Sequence, residues 1–416
     1  MSINSPRGTQ DILPPASFKW QYVEEIAHDI GRRYNYEEIR TPIFEYTELF
    51  SRGIGEATDI VEKEMYTFSD RSGRSITLRP EMTASVVRSF LENKLYGGVQ
   101  PTKLYYIGPM FRYERPQSGR FRQFHQFGVE ALGSNNPALD VEIMAMGIDF
   151  LGQIGLSSFF VELNSIGCPD CRPQYVQTLK EYFQEYEESL CSDCQRRLEK
   201  NPLRILDCDK CQEIIDDAPS ILDYICENCQ EHFAVVKEGL NELDLNYEIS
   251  PLLVRGLDYY TNTVFEVKSG DLGAQDAIFS GGRYNGLVQE IGQRDVPGAG
   301  WALGLERLLL LLDEEDESFS QELDVYVITI GERAERFSLQ LIRDLRGAGL
   351  SVDTDYMERS VGSQFKDADR KDARHTVIIG EDEINQGELT VRDMESGDEH
   401  MIPADEVIDS LKENIY

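Results

Sequence analysis

The stretch of sequence that decides the fold runs from Phe111 to Glu130 and reads FRYERPQSGRFRQFHQFGVE. Two runs rich in aromatic and aliphatic residues flank the turn-forming residues 116–119, which predicts two strands joined by a tight turn. Side chains alternate between the two faces of a strand. One face of the second strand should therefore carry an aromatic ring, an amide and a carboxylate, from Phe124, Gln126 and Glu130.

Arginines are concentrated in this stretch although the protein as a whole has a net charge of −34. Four of them occur within it, namely Arg112, Arg115, Arg120 and Arg122. Such a local basic patch in an acidic protein indicates an anionic partner such as phosphate. Arg112 and Glu114 would share one face of the first strand. The alternative interpretation is a solvated hairpin with a basic tip.

The same stretch resembles the second signature motif of class II aminoacyl-tRNA synthetases, in the form found in histidyl-tRNA synthetases. Residues 253–267 (LVRGLDYYTNTVFEV) resemble a motif peculiar to histidyl-tRNA synthetases. Residues 298–312 (GAGWALGLERLLLLL) resemble the third class II motif, a glycine-rich strand followed by a very apolar helix. A helix over Phe18–Tyr34 and a strand over Ile39–Tyr46 resemble the first motif, which implies a homodimer.

The resemblance spans nearly the whole chain and implies an α+β fold. Its parts are an antiparallel-sheet catalytic domain of class II type, a cysteine-rich helical insertion, and a C-terminal α/β anticodon-binding domain. We expect the catalytic core over residues 1–166 and 236–320, the insertion over 167–235 and the anticodon-binding domain over 321–416. Residues 54–65 are predicted to be a loop, and the acidic run 313–322 a linker.

In the C-terminal domain, strands alternate with helices. One of these helices collects basic residues, namely Lys366, Arg370, Lys371 and Arg374. By resemblance this helix would contact tRNA. Because aspartates interleave with the bases, a solvated helix is the alternative.

The overall composition limits the possible classes of protein. The 416 residues contain no apolar run long enough for a membrane span, and the N-terminus lacks the apolar core of a signal peptide, so we expect a cytoplasmic protein that is not bound to a membrane. With 75 acidic and 41 basic residues, the surface repels nucleic acid on average. RNA binding would therefore depend on local basic patches.

All eight cysteines lie between residues 168 and 229, in four C-x-x-C pairs. The pairs are Cys168/Cys171, Cys191/Cys194, Cys208/Cys211 and Cys226/Cys229. This spacing favours tetrahedral zinc, which takes two thiolates from each pair, and eight ligands suit two structural sites of four. The alternative is a set of reduced thiols in an insertion that folds without metal.

The resemblance implies that ATP, with Mg²⁺ bridging its phosphates, activates L-histidine as an adenylate, which then acylates histidine tRNA. Attack of one anion on another requires positive charge at the α-phosphate. Arg112 and Arg255 are the catalytic candidates for this role. By resemblance, Arg120 and Arg307 hold the outer phosphates, Phe124 and Arg307 sandwich the adenine, and Glu114 belongs to the same ATP site. For Arg307, the alternative is a helix-end ion pair with Glu306 or with an acid elsewhere in the chain.

Selection of histidine requires partners for both imidazole nitrogens, because a site built for a polar side chain rejects apolar competitors. Glu130 and Tyr260 are an acid and a hydroxyl that fit, and they match the imidazole-binding positions of the family. The remaining histidine-binding candidates by resemblance are Glu81, Thr83, Gln126 and Tyr259. The alternative for Glu81 is an acid that merely stabilises the start of a helix.

Two other classes of protein remain open at this point. The first is the non-catalytic, histidine-sensing regulatory subunit of ATP phosphoribosyltransferase, which Met82 favours because the synthetases usually have glycine there. That subunit lacks both the terminal domain and the full arginine motif around Arg255. The second is a zinc-stabilised RNA-binding protein, which would not explain why Gln126, Glu130, Arg255 and Tyr260 occur together.

Overall fold

Residues 3–55, 58–272, 276–313, 319 and 323–415 are described by the structure, which is a computed structural model. The chain divides into two compact units, Met1–Asp316 and Glu317–Tyr416. The predicted acidic linker 313–322 lies outside the described residues except for Asp313 and Phe319.

The described part of the first unit combines α-helices with strands that pair mostly antiparallel. Its strands are β1 (Glu37–Glu38), β2 (Phe44–Tyr46), β3 (Tyr66–Ser69), β4 (Ser75–Leu78), β5 (Thr102–Phe111), β6 (Gln123–Leu132), β7 (Phe160–Ser165), β8 (Glu248–Ile249), β9 (Thr261–Lys268), β10 (Ala277–Arg283) and β11 (Gly298–Gly304). Its α-helices are α1 (Ala16–Arg33), α2 (Thr47–Ile54), α3 (Thr83–Glu92), α4 (Ala138–Gln153), α5 (Arg172–Gln184), α6 (Ser192–Lys200), α7 (Gln212–Ile215), α8 (Glu227–Glu242), α9 (Leu287–Gly292) and α10 (Leu305–Leu308).

Eight of these strands form one large sheet in the order β1-β5-β6-β11-β10-β9-β7-β8. All neighbours are antiparallel except β1 with β5 and β7 with β8. One face of this sheet packs on α1 and α4. On that face, the Phe127 ring lies 5.0 Å from the Phe150 ring of α4, and the Trp301 indole donates to the Ile143 carbonyl at 2.7 Å. The opposite face carries the polar side chains of β6, as the alternation predicts.

The expected hairpin is present, but its strands are longer and its connection is wider than predicted. β5 and β6 pair from Thr102 with Leu132 to Phe111 with Gln123, and residues 112–122 connect them. A tight turn does occur, at Gln117 and Arg120, whose backbones bond to each other. The prediction that Arg112 and Glu114 lie on a strand is wrong. Backbone groups of this connection bond to other segments instead, such as Tyr113 N to the Glu64 carbonyl at 2.7 Å.

Three further local predictions need correction. The strand predicted over residues 39–46 is confined to β2, since Pro42 cannot donate a ladder hydrogen bond. The loop predicted over residues 54–65 contains a π-helix at Ile60–Glu64. The apolar helix predicted after the glycine-rich strand β11 is only α10 followed by a 3₁₀ turn at Leu309–Leu311.

The cysteine-rich insertion is helical, as expected, and comprises α5, α6, α7 and the start of α8 with short 3₁₀ turns between them. Its buried residues Tyr175, Leu179 and Phe183 belong to the same apolar cluster as Phe90 and Leu132 of the catalytic part. The insertion is thus continuous with the core beneath the large sheet.

The second unit is an α/β domain with five strands and four helices among its described residues. They are β12 (Leu323–Thr329), α11 (Glu332–Gly347), β13 (Val352–Thr354), α12 (Val361–Arg370), β14 (Ala373–Ile379), α13 (Glu381–Gln386), β15 (Glu388–Asp393), β16 (Glu399–Pro403) and α14 (Val407–Ile415). The sheet order is β13-β12-β14-β15-β16, parallel up to β14 and antiparallel beyond it. The sequence did not predict β16, which reads as a polar segment. The α+β class and the α/β terminal domain are confirmed.

Candidate active site

A cavity of about 410 Å³ opens on the face of the large sheet that carries the polar side chains of β6. All twelve side chains predicted to bind histidine or ATP line it. They are Glu81, Thr83, Arg112, Glu114, Arg120, Phe124, Gln126, Glu130, Arg255, Tyr259, Tyr260 and Arg307. They come from β6, the start of α3, the 112–122 connection, the segment before β9, and α10. The fold therefore gathers residues that lie up to 226 positions apart, from Glu81 to Arg307.

Glu130 is the buried acid at one end of this cavity. Its Oε1 accepts a hydrogen bond from the Thr83 hydroxyl at 2.6 Å and lies 3.5 Å from the hydroxyl of Tyr106. Its Oε2 accepts from the Tyr284 hydroxyl. Burial raises the pKa of Glu130 to about 8, although these hydroxyl donors oppose the increase. The carboxyl therefore keeps its proton at neutral pH when the cavity is empty.

Two glycines make room for this acid. A Cβ at Gly300, on the neighbouring strand β11, would lie 2.2 Å from Glu130 Oε2 and 2.3 Å from the Val129 carbonyl oxygen. A Cβ at Gly128 would lie 2.4 Å from the hydroxyl of Tyr106. Both positions exclude any side chain, because the atoms they would meet are backbone or are fixed by hydrogen bonds.

Glu81 lies just before α3 and is buried. Its carboxylate accepts from the backbone N–H of Thr83 at 2.7 Å and of Ala84 at 2.9 Å, which satisfies two groups that a helix start leaves unpaired. Glu81 therefore stabilises the helix and also lines the cavity. Burial raises its pKa above the usual range of a carboxyl. Met82, between them, is turned away and packs with Val86, Leu104 and other apolar residues.

Tyr259 and Tyr260 lie side by side at the end of the segment that precedes β9, with ring centroids 4.7 Å apart. Both are buried, and burial raises the pKa of Tyr260 to about 12. Besides Thr83, the hydroxyls bonded to Glu130 belong to Tyr106 and Tyr284, neither of which was among the predicted histidine-binding residues. Tyr260 lines the same cavity as Glu130.

Arg255 lines the same cavity, where one side chain from β9 and one from β10 hold it. Its Nη1 donates to Glu266 on β9 at 2.6 Å, and its Nη2 donates to Ser280 on β10. Burial favours the neutral guanidine, but the charge of Glu266 outweighs it and raises the pKa of Arg255. The same ion pair lowers the pKa of Glu266 despite its burial. Arg255 is thus a rigid, permanently charged cation.

The other arginines surround the outer part of the cavity. Arg112 donates from Nε to the Pro80 carbonyl at 2.8 Å, and its guanidinium carbon lies 5.2 Å from the centroid of the Phe124 ring. Arg120 pairs with Glu114 at 3.5 Å. Arg307 has a lowered pKa because of burial and the nearby charge of Arg120. These cations repel one another, and an anion between them would relieve the repulsion.

The predicted alternative for Arg307, an ion pair with Glu306, is not found. Glu306 accepts instead from the backbone N–H of His125 at 2.9 Å and approaches its Nδ1 at 2.9 Å. Within the described part of the chain, Arg307 forms no ion pair. It therefore retains its charge for a ligand.

Among the twelve predicted side chains of the cavity, two have a buried polar atom with no hydrogen-bond partner in the described part of the chain. These atoms are Oε1 of Gln126 and Nε of Arg255. A buried polar group without a partner costs about 1–3 kcal/mol, so such groups are expected where a ligand supplies the missing bond. Gln126 Oε1 is an acceptor and suits an amine of the ligand. Arg255 Nε is a donor and suits a phosphate.

Sequence analysis missed three residues of this site. Tyr106 and Tyr284 bond to Glu130, and Glu266 holds Arg255. Tyr106 had a signal, since it lies on a strand opposite Gly128 in the register of β5 and β6. Tyr284 follows the adjacent glycines of the SGGRYNGL segment, which were recognised only for close backbone approach.

The eight cysteines form two groups of four. The first tetrad is Cys168, Cys171, Cys226 and Cys229, and the second tetrad is Cys191, Cys194, Cys208 and Cys211. Within each tetrad all four sulfurs lie within 4.8 Å of one another. In the first tetrad the neighbouring sulfurs are separated by 3.5–3.9 Å, which is far longer than a disulfide bond. Either tetrad could hold a metal ion.

The fold and this cavity together define a class II aminoacyl-tRNA synthetase. A sequence profile described as Histidyl-tRNA synthetase matches residues 8–308, and one described as Anticodon binding domain matches residues 324–414. The chain belongs to the histidyl-tRNA synthetase family.

Individual relatives agree with this assignment over their full length. The chain is 58% identical to the histidine–tRNA ligase of Halothermothrix orenii, covering 99% of both chains. It is 52% identical to that of Bacillus subtilis, covering 100% of this chain and 99% of the relative. The apo crystal structure of S. aureus histidyl-tRNA synthetase superposes with a TM-score of 0.84 at 40% identity, covering 99% of this chain and 100% of that one. The full-length agreement favours a ligase over the regulatory subunit.

None of the helices in the described parts of the chain has the length and apolarity needed to cross a bilayer.

Proposed function

We propose that this chain attaches L-histidine to histidine tRNA in two steps, through a histidyl-adenylate formed from ATP in the cavity described above. The observation that carries this proposal is the presence in one cavity of a buried, protonated acid, Glu130, and of a rigid, charged Arg255. The acid end suits an imidazole, and the cationic end suits a phosphate. The reaction takes place in the cytoplasm, where the tRNA is.

The imidazole of histidine binds between Glu130 and Tyr260. The imidazole of histidine has a pKa near 6.5, so at pH 7 most imidazole rings carry only one ring proton. Glu130 has a proton and can donate it in a hydrogen bond to the ring, while the Tyr260 hydroxyl meets the other nitrogen. Tyr106 and Tyr284 orient the carboxyl. An apolar side chain in this position would leave these buried groups unpaired, which explains the selectivity.

The α-amino group of histidine binds to the unpartnered Gln126 Oε1 and to the oxygens of Glu81 and Thr83. An ammonium has three donors, and these three side chains provide acceptors around one part of the cavity. Tyr259 packs against Tyr260 and closes the apolar side of this pocket. With both ends of the amino acid held, its carboxylate points towards the arginines.

The α-phosphate of ATP binds between Arg112 and Arg255. As the histidine carboxylate attacks, negative charge accumulates on the phosphate, and two fixed cations stabilise it without rearrangement. The Nε of Arg255, which has no partner among the described residues, would bond to a phosphate oxygen. Mg²⁺ accompanies ATP as in class II synthetases generally and supplies further neutralisation of the phosphates.

The adenine stacks between Phe124 and Arg307, while Arg120 and Arg307 meet the outer phosphates. The guanidinium of Arg112 lies over the Phe124 ring, and this contact supports the proposal that the ring stacks with a planar group. Glu114 pairs with Arg120 and sets its direction. For the second step, the acylation of tRNA, no general base stands out, and an oxygen of the adenylate phosphate can accept the proton.

Recognition of tRNA involves the second unit. On α12, Lys366 and Arg370 are exposed, one turn apart, and neither has an ion pair within the described ranges. Lys371 contributes less than the sequence suggested, since it pairs with Asp353 at 2.5 Å and with Asp367 at 3.4 Å. The helix was predicted to include Arg374, but it ends at Arg370, and Arg374 lies on β14. Lys366 and Arg370 therefore provide a local basic patch on an otherwise acidic protein.

Zinc occupies the two cysteine tetrads as a structural metal. Four sulfurs about 2.3 Å from a central zinc lie about 3.8 Å apart in a tetrahedron. The distances of 3.6, 3.9, 3.9 and 3.5 Å in the first tetrad and of 3.7 Å between Cys191 and Cys208 in the second agree with that value. Backbone N–H groups also bond to the sulfurs, from Cys168 to Cys171 and from Cys191 to Cys211, each at 3.3 Å. Thiolates attract such donors.

A homodimer forms through the small sheet β2-β4-β3. Its register aligns Tyr46, Ile76 and Phe68, so one face of this sheet is apolar. Phe44, Tyr46 and Phe68 remain 57, 53 and 49% exposed in the single chain. Apolar patches of this kind mark interaction sites.

The experiment that tests the proposed function is amino-acid-dependent exchange of labelled pyrophosphate into ATP, followed by charging of histidine tRNA. Exchange with histidine and with none of the other amino acids supports the proposal. Tight histidine binding without exchange would instead indicate a regulatory protein.

A further inference from the structure

The segment Arg255–Asn262, which carries both tyrosines of the cavity, depends on the cysteine-rich insertion for its conformation. Among the described residues it has no helix, and only its last two residues enter β9. Most of its backbone groups therefore lack partners within a regular element. The insertion supplies partners at both of its ends.

The end next to β9 contacts the first tetrad directly. Asn262 adopts a left-handed backbone conformation, with φ +51°, which is uncommon outside glycine. Its Nδ2 donates to Cys229 Sγ at 3.5 Å, and its backbone N–H donates to the Gly167 carbonyl, next to Cys168, at 2.9 Å. The conformation of Asn262 is thus fixed by a sulfur of the tetrad and by the backbone that leads into it.

Arg172 makes a second connection between the first tetrad and the tyrosines. It follows Cys171 and donates from Nη2 to the Tyr260 carbonyl at 2.6 Å. The same guanidinium donates to the carbonyls of Ile166 and Gly167, each at 3.1 Å. One side chain therefore ties the backbone of Tyr260 to the loop that contains Cys168 and Cys171.

That loop is tightly packed around the sulfurs. Gly167 has φ +68°, and a Cβ there would lie 2.8 Å from Cys171 Sγ. As thiolates, four sulfurs at these distances stay together only around a cation, because like charges repel. Without a cation, the metal–sulfur bonds that join this loop to Cys229 are absent, and both connections to residues 260–262 lose that anchor.

We propose that the metal-loaded first tetrad positions Tyr259 and Tyr260 for histidine, through Asn262 and Arg172, so that metal occupancy sets the affinity for the amino acid. The inference rests on the proposed function, both for the zinc and for the histidine pocket. Cys229, Asn262 and Arg172 are positioning residues, since none of them lines the cavity.

The other end of the segment has separate support. Asn201 Nδ2 donates to Asp258 Oδ1 at 2.9 Å, and Arg204 donates to the Gly256 carbonyl. In the sequence, both residues lie between Cys194 and Cys208 of the second tetrad. Loss of the first tetrad should therefore displace the tyrosine end of the segment and leave the Arg255 end in place.

The test uses the full chain and three variants. Cys226→Ser removes one ligand of the first tetrad without touching Asn262 or Arg172. Asn262→Gly keeps all four ligands and tolerates the left-handed backbone, but loses the bond to Cys229. Leu179→Ala is the matched control, because it creates a cavity in the apolar core of the insertion and alters neither connection. For each protein we would measure zinc content by mass spectrometry, histidine and ATP dissociation constants by calorimetry, and the melting temperature.

We expect two zinc ions per chain in the wild type and one in Cys226→Ser. The histidine dissociation constant should rise about tenfold in Cys226→Ser and Asn262→Gly, the size expected for losing one buried hydrogen bond, with the ATP constant nearly unchanged. Leu179→Ala should melt earlier but bind histidine as the wild type does.

Several results would overturn this inference. Zinc loss in Cys226→Ser with unchanged histidine affinity would remove the coupling, and so would an equal loss of affinity in Leu179→Ala. A wild type without zinc would refute the metal while leaving histidine activation intact. A wild type that binds zinc but not histidine would refute the proposed function itself.

Discussion

Nη1 of Arg255 donates to the carboxylate of Glu266 at 2.6 Å, which leaves the Nε of this arginine as a buried donor with no partner among the described residues. Strand β9 thus fixes the guanidinium of Arg255 through Glu266, while the Nε–H of Arg255 remains available to a ligand in the cavity. A preorganised charge of this kind stabilises a transition state without reorganising during the reaction.

Replacing Glu266 should therefore reduce catalysis more than binding. In Glu266→Gln the amide still accepts one hydrogen bond but no longer neutralises the guanidinium, and we expect the rate of histidine-dependent exchange to fall about tenfold. The histidine dissociation constant should stay near the wild-type value. The matched control is Glu162→Gln, since Glu162 pairs with Lys268 at 3.1 Å beside Glu266 but does not contact Arg255. Equal losses in both variants would count against a specific role for the Arg255–Glu266 pair.

The buried acid predicts an unusual dependence of stability on pH. The pKa of Glu130 is raised by burial from 4.5 in the unfolded chain to about 8 in the folded chain. Between these values the folded chain keeps a proton that the unfolded chain has released, so stability falls as the pH rises through this window. Relative to Glu130→Gln, the free energy of unfolding of the wild type should fall by at most about 5 kcal/mol between pH 4.5 and 8.

Urea denaturation of the two proteins at several pH values measures this difference. A pair of stability curves that run parallel from pH 5 to 8 would mean that Glu130 is already ionised in the folded chain. The pocket would then bind imidazole as a cation, and the proposed proton donation to histidine would be wrong.

The apolar face of the small sheet predicts the oligomeric state. We expect sedimentation at twice the chain mass of 47.5 kDa, and Tyr46→Glu should give monomers because it places a charge on the apolar face of β2. Phe337→Glu, at an exposed aromatic of α11, is the control and should leave the dimer intact. A wild-type monomer at micromolar concentration would contradict the proposed interface.

The exposed cations of α12 predict an effect on tRNA and none on adenylate formation. Lys366→Ala and Arg370→Ala should each raise the Michaelis constant for tRNA and reduce the salt dependence of binding by about one unit of slope, as expected for one lost phosphate contact. Histidine-dependent exchange should be unchanged. Lys412→Ala, on α14, serves as the control. If both α12 variants charged tRNA normally, this helix would not be part of the tRNA-binding surface.

The sequence predicted the membership of the site better than its geometry. Strand alternation placed Phe124, Gln126 and Glu130 on one face, and family motifs supplied the other nine predicted residues. The individual roles of these residues stay predictions. The tyrosines that bond to Glu130 were not predicted, because Tyr106 and Tyr284 lie 24 and 154 positions away from it in the sequence. Only the path of the backbone brings them to the acid.

The pairing of the cysteines also required the structure. Four C-x-x-C pairs can combine into tetrads in more than one way, and sequence spacing does not choose among them. The first pair joins the fourth because the fold brings the residues before α5 and α8 together, with Cys168 Sγ 3.9 Å from Cys226 Sγ. The 112–122 connection was misread as strand for a similar reason, since its hydrogen-bond partners are distant in sequence, such as Gly8 and Glu64.

The most direct test of the central claim compares Arg255→Ala with the wild type in two assays, histidine binding by calorimetry and histidine-dependent pyrophosphate exchange. We predict that the exchange rate falls about 10²–10³-fold, the loss typical of one preorganised donor, while the histidine dissociation constant changes less than about threefold. That separation would place Arg255 at the phosphate and Glu130 at the amino acid. Exchange that persists in Arg255→Ala, or a wild type that binds histidine without any exchange, would contradict the account.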